Sequence, residues 1–355
     1  MFLFKHGSRR AVQAIQTHTT QRFASKISIP FQPPPVPIIE KCPSPTCLCR
    51  EPPSGLDIER EQNINGSMAA YAEQVLISTG RDDWKSRTED EEDAVLVNQL
   101  KKNLTRGGKF VDPYHNILIT NSSFPPTPST RRSTPNPGKD PSSSTSTTDS
   151  ASAFLLPSFQ YIPSIPTTNP SSIETFIKAF LLPPKLHNAH SRLNRAEQNI
   201  LLREAELQAQ FPGARDVDEI LILICGHGGR DDRCGKLGPL LREEFQEKLQ
   251  RQNIPLSHSP PPLEAEVVDT AVEGYVPTAR VGLISHIGGH KWAGNVIVYI
   301  PPSFERNSLA GKGIWYGRVG PEHVEGIVQK TVLEGKVIKE LFRGGIDRSG
   351  EIIRL

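Results

Sequence analysis

Two glycine-rich stretches hold the side chains best suited to chemistry: CGHGGRDDRC at 225–234 and SHIGGHKW at 285–292. The first has a thiol at each end, Cys225 and Cys234. The second has two imidazoles, His286 and His290, four positions apart. Thiolate sulfur and imidazole nitrogen in a two-plus-two set suit either a tetrahedral zinc ion or an iron-sulfur cluster. Histidines four apart share a face on a helix, as in the HExxH zinc proteases. Gly288 and Gly289, however, weaken a helix by about 1 kcal/mol each, and no Glu follows His286. A metalloprotease is therefore a poor reading. In a loop, the glycines let backbone and histidines wrap closely around a bulky inorganic core. A Rieske centre also combines two Cys with two His, interleaved in each ligand loop. Cys225-Gly-His227 imitates one half of that pattern, but the second stretch contains no cysteine.

Three further cysteines, Cys42, Cys47 and Cys49, sit in CPSPTCLC. A total of five is not the even, dense pattern of a secreted disulfide scaffold. This group suits a metal, a redox-active dithiol, or plain reduced thiols in a proline-stiffened loop open to solvent. Arg230, Asp231, Asp232 and Arg233 read as a solvated, self-paired turn. GHGG lacks the Lys and Ser/Thr of a phosphate loop, and neither a GxSxG elbow nor a dinucleotide fingerprint is present, so a hydrolase has no nucleophile.

The elements that must position these groups follow from periodicity. SSIETFIKAFLL opens a C-terminal domain, 171–355, with Ser171 and Glu174 at capping-box spacing, and a helix is expected from about 190 to 210. VDEILILIC at 217–225 has the apolar run of a central buried strand. Leu237, Leu241, Phe245 and Leu249 then recur every four residues, as on an amphipathic helix. Strands are expected at about 266–272, 294–300 and 313–319, and Pro321 stands at a first helical position. Strand, helix, strand, strand, strand, helix is the order of a thioredoxin-like α/β domain. In that topology the end of the first strand lies beside the start of the third, which gathers Cys225, Cys234, His286 and His290 at one edge of the sheet.

Residues 40–120 read as a smaller α/β module. QVLISTGRDDW at 74–84 is similar to LILICGHGGRDD, and NILITNSSFPP at 116–126 to NVIVYIPPSF, which suggests an internal repeat. Of the 30 residues from 121 to 150, 21 are Ser, Thr or Pro. Such a composition cannot bury enough surface to offset its ordering entropy, so 121–170 is expected to be a long disordered linker.

Taken together, CGHGGRDDRCG, SHIGGHKWAGNVIVYIP and WYGRVGPEHV resemble the sucrase/ferredoxin-like family, as do the upstream CPSPTCLCREPPSGLDIEREQ and YAEQVLISTGRDDW. The resemblance covers about 40–120 and 171–345. It implies a thioredoxin-like ferredoxin carrying a [2Fe-2S] cluster on two cysteines and two histidines. By motif these fall on Cys225, Cys234, His286 and His290, which leaves His227 a supporting role such as a hydrogen bond near a sulfur. The implied function is electron transfer to or from an unidentified redox partner protein. A thiol-disulfide oxidoreductase using Cys42, Cys47 and Cys49 and a zinc-stabilised binding module are the alternatives. Replacing two of four thiolates by neutral imidazoles makes the site less negative, so reduction is expected to be easier.

The formal charge of +2, from 41 basic and 39 acidic residues, argues against nucleic acid as the partner. No apolar run approaches the roughly 18 to 20 residues that span a bilayer. Residues 1–39 contain Lys5, Arg9, Arg10, Arg22 and Lys26 and no acid, the composition of a mitochondrial transit peptide. QRFAS at 21–25 resembles an arginine-led processing site, and loss of residues 1–23 would leave a net charge of −2. The expected location is mitochondrial: the matrix is favoured, with the intermembrane space as the alternative.

Overall fold

Strand β7 (Ile220–Cys225) is buried at all six positions, as a Leu/Ile run covered on both faces must be. It leads through a tight loop into α4 (Asp232–Arg251). Asp231 caps this helix by accepting from the Arg233 N–H, and Cys234, Leu237, Leu241, Phe245 and Leu249 form its buried stripe. Strand β8 (Ala279–Ile284) runs parallel to β7, and β9 (Val296–Ile300) lies antiparallel on the other side, with Ile224 opposite Val296. Strand β10 (Lys312–Tyr316) and α5 (Pro321–Ile327), with proline in its first turn, complete the expected order. These elements belong to a computed structural model that describes residues 33–128, 149–262 and 275–355.

The strand expected at 266–272 lies outside the described residues. Strand β8 was not legible because Arg280 and Gly282 interrupt its apolar run. Arg280 is buried in an ion pair with Glu219, and Gly282 lies under the Phe124 ring, where a Cβ would come within 2.5 Å.

The N-terminal half builds the same unit. Strand β2 (Glu73–Ser78), α1 (Val95–Leu104) and β3 (Ile117–Ser122) form a parallel crossover, and β4 (Ser150–Leu156), β5 (Gln160–Pro166) and α2 (Pro170–Phe176) follow. Strand β4 lies antiparallel to β2, as β9 does to β7. The internal repeat is therefore real at its first string, which matches β2 with β7. At its second string the sequence similarity is misleading, because the counterpart of β3 is β8 rather than β9.

The expected linker, 121–170, is also corrected. Its last two-fifths form the β4–β5 hairpin and the start of α2, and β3 runs to Ser122; the Ser- and Thr-rich stretch 129–148 lies outside the described residues. Ser and Pro hid this hairpin, although its strands are largely buried. Asn169, rather than Ser171, caps α2, accepting from the Ser171 N–H with Pro170 at the first position. The helix expected over 190–210 is broken into a turn at 188–192, α3 (Arg195–Ile200) and a turn at 205–210. Asn194 restarts the helix through a capping box with Glu197.

The two halves meet edge to edge. Strands β3 and β8 pair antiparallel at Ser122 and Ile284, and the Ser123 and Ser285 hydroxyls accept from the Leu283 and Asn121 N–H groups. Among the described residues this gives one sheet of eleven strands, closed at its ends by β6 (Arg215–Asp216), β12 (Phe342–Asp347) and β13 (Ile352–Ile353). Residues 34–355 form one compact unit. Leu76 and Phe154 of the N-terminal half share a core with β7 and β9, while Val75 and Ile77 pack with Phe176 and Phe180 in a second core. The end of the expected 1–39 leader is part of the fold: β1 (Ile38–Ile39) pairs in parallel with β11 (Val337–Ile338), whereas residues 1–32 lie outside the described residues. Among the described residues, no helix is long and apolar enough to cross a membrane.

Candidate functional site

Cys225 is the last residue of β7, and Cys234 lies in the first turn of α4; both are buried. Glycines bring these two elements into contact. A Cβ on Gly235 would come within 2.5 Å of the Gly228 Cα, and one on Gly238 within 2.6 Å of the Gly226 Cα, so only hydrogens fit between the loop and the helix. The thiols act as a pair. A hydrogen bond from Cys234, with His286 alongside, drives Cys225 well below the usual thiol range despite its burial. The same bond, together with burial and the neighbouring sulfur charge, pushes Cys234 up.

His286 and His290 follow β8, joined by Gly288 and Gly289, both with left-handed backbone at φ of 82° and 77°. Their rings lie 5.3 Å apart between centroids and are tilted by 34°. His286 is half-buried and His290 exposed. The His286 Nδ1 is buried and has no hydrogen-bond partner.

Three features around these donors were not legible in the sequence. The first is Arg343 of β12, whose side chain is 1% exposed. Its guanidinium donates to Asn295 Oδ1 at 2.6 Å, Ser67 O at 3.0 Å and Gly288 O at 3.3 Å, and Asn295 Nδ2 in turn donates to Gly289 O at 3.0 Å. A side chain on Gly289 would strike Arg343. Burial lowers the Arg343 pKa to about 10, and the charge on Cys225 and Cys234 opposes that fall. A buried cation therefore fixes the histidine loop and faces the sulfur pair.

The second is His227. Its Nε2 lies 2.9 Å from Lys85 O and 3.1 Å from Trp84 O, and since both only accept, Nε2 carries the proton. Its Nδ1 then accepts from the His286 N–H at 3.0 Å. His227 is a bridge between the cysteine loop, the histidine loop and the N-terminal half.

The third is the loop after β2, the N-terminal counterpart of the cysteine loop. Asp83 accepts from the Gly229 N–H, Trp84 packs edge-on to His227 at 5.8 Å, and Asp82 pairs with Arg242 at 2.6 Å. The RDD shared by the two strings was the visible signal, but its meaning as one loop clamping its own repeat was not. A cleft of about 370 Å³ beside this junction is lined by Ser86, Thr88, Arg230, His227 and His286.

The structure thus brings Cys225, Cys234 and His286 together, with His290 at the rim. Among the described residues, no three His, Cys, Asp or Glu side chains are gathered around a single-ion position. Cys42, Cys47 and Cys49 belong elsewhere. They lie on a strap over the far part of α4 and over α5, where Cys47 Sγ is 3.1 Å from Lys248 Nζ. Lys248 is fourteen residues along α4 from Cys234, about 21 Å at the helical rise.

The comparisons agree with these strings. A sequence profile described as sucrase/ferredoxin-like matches residues 64–344. The chain belongs to the sucrase/ferredoxin-like family. Altered inheritance of mitochondria protein 32 of Debaryomyces hansenii is 30% identical over 319 residues, 87% of this chain and 96% of that protein. The protein of the same name from Meyerozyma guilliermondii is 36% identical over 178 residues, 49% of this chain and 51% of its own length. That of Saccharomyces cerevisiae strain YJM789 is 34% identical over 126 residues, 35% of this chain and 32% of its own. No solved structure matches.

Proposed function

We propose that this chain is a mitochondrial redox protein that carries electrons on a [2Fe-2S] cluster held by Cys225, Cys234, His286 and His290 in a thioredoxin-like C-terminal half. The observation that carries the reading is the buried, unpartnered His286 Nδ1 beside two buried thiols. A buried polar atom without a partner costs about 1–3 kcal/mol, and a metal-ligand bond removes that cost. The donor set also fits: soft sulfur on one side and paired imidazoles on the other.

When bound, such a cluster supplies one-electron chemistry. The chain's own part is positional and electrostatic. Gly228 and Gly235 let the two thiols approach, and Asn295 and Arg343 hold the Gly288–Gly289 turn that aims the histidines. Arg343 offsets negative charge on the sulfurs, which favours accepting an electron. His227 fixes the His286 backbone without binding metal. His290, exposed at the rim, gives a redox partner protein its shortest approach.

The location rests on the basic, acid-free residues 1–39 and on the relatives' names, which refer to the inheritance of mitochondria. A reporter fused to residues 1–39 should enter the matrix; a reporter left in the cytosol contradicts the location. Purified full-length protein should be red-brown, with visible bands, about two irons and two sulfides per chain and a spin signal on reduction. A colourless protein containing zinc overturns the proposal in favour of a zinc-stabilised binding module.

A further inference from the structure

A second cluster of reactive groups lies on the opposite end of α4. Cys47 and Cys49 flank Leu48, which is 96% exposed, the most exposed large apolar side chain among the described residues. The Cys47 thiol donates to the Glu325 carboxylate at 3.2 Å, and its sulfur lies 3.1 Å from the Lys248 ammonium. Both partners are held in place. Thr46 donates to Glu325 through its backbone N–H at 3.0 Å and its hydroxyl at 2.5 Å. Lys248, with only 2% of its side chain exposed, pairs with the equally buried Glu244 at 2.9 Å. Burial opposes the Lys248 charge, but Glu244 and Cys47 outweigh it and raise its pKa. Arg50 ties the strap to the same helix through Glu244 and Glu247, each at 2.8 Å.

The three cysteines are therefore not equivalent. Cys42 is pushed up to about 12 by burial and the carboxylates of Glu340 and Glu322, which makes it inert as a nucleophile. Cys49 is also raised, by burial first and then by Glu244, so it rests as a thiol. Lys248 also acts on Cys49 from further off, but it is Cys47 whose sulfur is in contact with that cation, at 3.1 Å, and whose proton is in hydrogen-bond contact with a carboxylate.

We propose that Cys47 and Cys49 form a dithiol site for thiol-disulfide exchange with a disulfide in a polypeptide that packs an apolar residue on Leu48. Cys47, as thiolate, attacks one sulfur of the substrate disulfide; a new S–S bond forms, the substrate S–S bond breaks, and its second sulfur leaves as thiolate. Cys49 then loses its proton to water and attacks Cys47 Sγ. The Cys47–Cys49 disulfide forms and the remaining substrate sulfur leaves, to be protonated. Two electrons and two protons pass from the pair to the substrate, and a dithiol or small-molecule thiol resets the pair. Two residues span at most about 7 Å between Cα atoms, at the upper end of disulfide geometry. The site does not depend on the cluster reading.

The test uses the full-length chain and a peptide with one intramolecular disulfide and a leucine beside it. Intact-mass measurement should find a one-to-one mixed disulfide on Cys49→Ser, mapped to Cys47. None should form on Cys47→Ser, and Cys42→Ser should behave as wild type. Lys248→Met should slow adduct formation about tenfold, and Lys248→Arg should restore most of the rate. Leu48→Ser should weaken the reaction with the peptide but not with oxidised glutathione. Adduct on Cys42 or Cys49 as readily as on Cys47, or no adduct on Cys49→Ser, overturns the proposal. Cluster absorbance, read in the same samples, should be unchanged in every one of these variants.

Discussion

The N-terminal and C-terminal halves fold in the same order around the same central strand, yet those strands end differently. Aligned over six residues, EQVLIS of β2 stands against ILILIC of β7, so Ser78 occupies the place of Cys225 and Glu73 that of Ile220. The loop after β7 has Gly226, His227, Gly228 and a cysteine-bearing first helical turn. The loop after β2 has Arg81, Asp82, Asp83 and Trp84 and no thiol. Instead of building a second site, that loop covers the first one, supplying carbonyls to His227 and a carboxylate to Gly229. One scaffold thus serves two tasks, and what decides between them is a few side chains at the strand end rather than the topology.

The sharpest way to break this comparison is to make the C-terminal half resemble its twin. If Cys225 holds the proposed cluster, Cys225→Ser should abolish the visible spectrum and the iron and sulfide content while leaving the fold of the strand intact. Next in size is Arg343→Met, which strands Asn295 Oδ1 in a buried setting and Gly288 O and Ser67 O in partly buried ones. It should cost about 3 kcal/mol in denaturant unfolding and lower the reduction potential of the protein that remains folded.

Glu73 marks the N-terminal half in a comparable way. Burial raises its pKa from an ordinary 4.5 to about 7, against the hydrogen bonds it accepts from Ser158. The folded state therefore holds a proton that the unfolded chain has released between these values. The contribution of Glu73 to stability should be full below pH 4.5 and fall by about 3 kcal/mol as the pH rises to 7. Glu73→Gln should remove this slope in unfolding followed against pH; an unchanged slope contradicts the assignment.

His227→Ala should cost about 2 kcal/mol, because it leaves the His286 N–H and two carbonyls unpartnered. The cluster should be retained with a shifted potential. Complete loss of iron would instead make His227 a ligand. The smallest effect is expected of Ser78→Cys, which should bind no iron, because among the described residues no histidine pair follows β2 as His286 and His290 follow β8; iron uptake there would show that one thiol is enough to convert the covering half into a site.

Much of the second half was legible. An unbroken run such as LILIC announces a central strand, and apolar residues every fourth position announce α4, because burial on one face is written directly in the residue order. The thiols and imidazoles were legible as candidate donors, since few chemistries use them together in glycine-rich loops. Strand β8 and the β4–β5 hairpin were not, because Arg280, Gly282 and a surplus of Ser and Pro are tolerated there only through specific partners: Glu219 for the arginine, the Phe124 ring over the glycine, and neighbouring strands for the hairpin.

By itself, the order of residues determined which atoms are able to bind or react and which segments must be buried, because both properties belong to single residues and their near neighbours. The tertiary structure decided which of those atoms meet. It set Arg343 beneath a loop more than fifty residues away, turned the degenerate repeat into a cover for its partner, and separated Cys47 and Cys49 from Cys225 and Cys234 by most of a helix. These contacts depend on long-range packing and on charges brought together from distant parts of the chain, and the strength of each interaction is set by the burial that only the folded state creates.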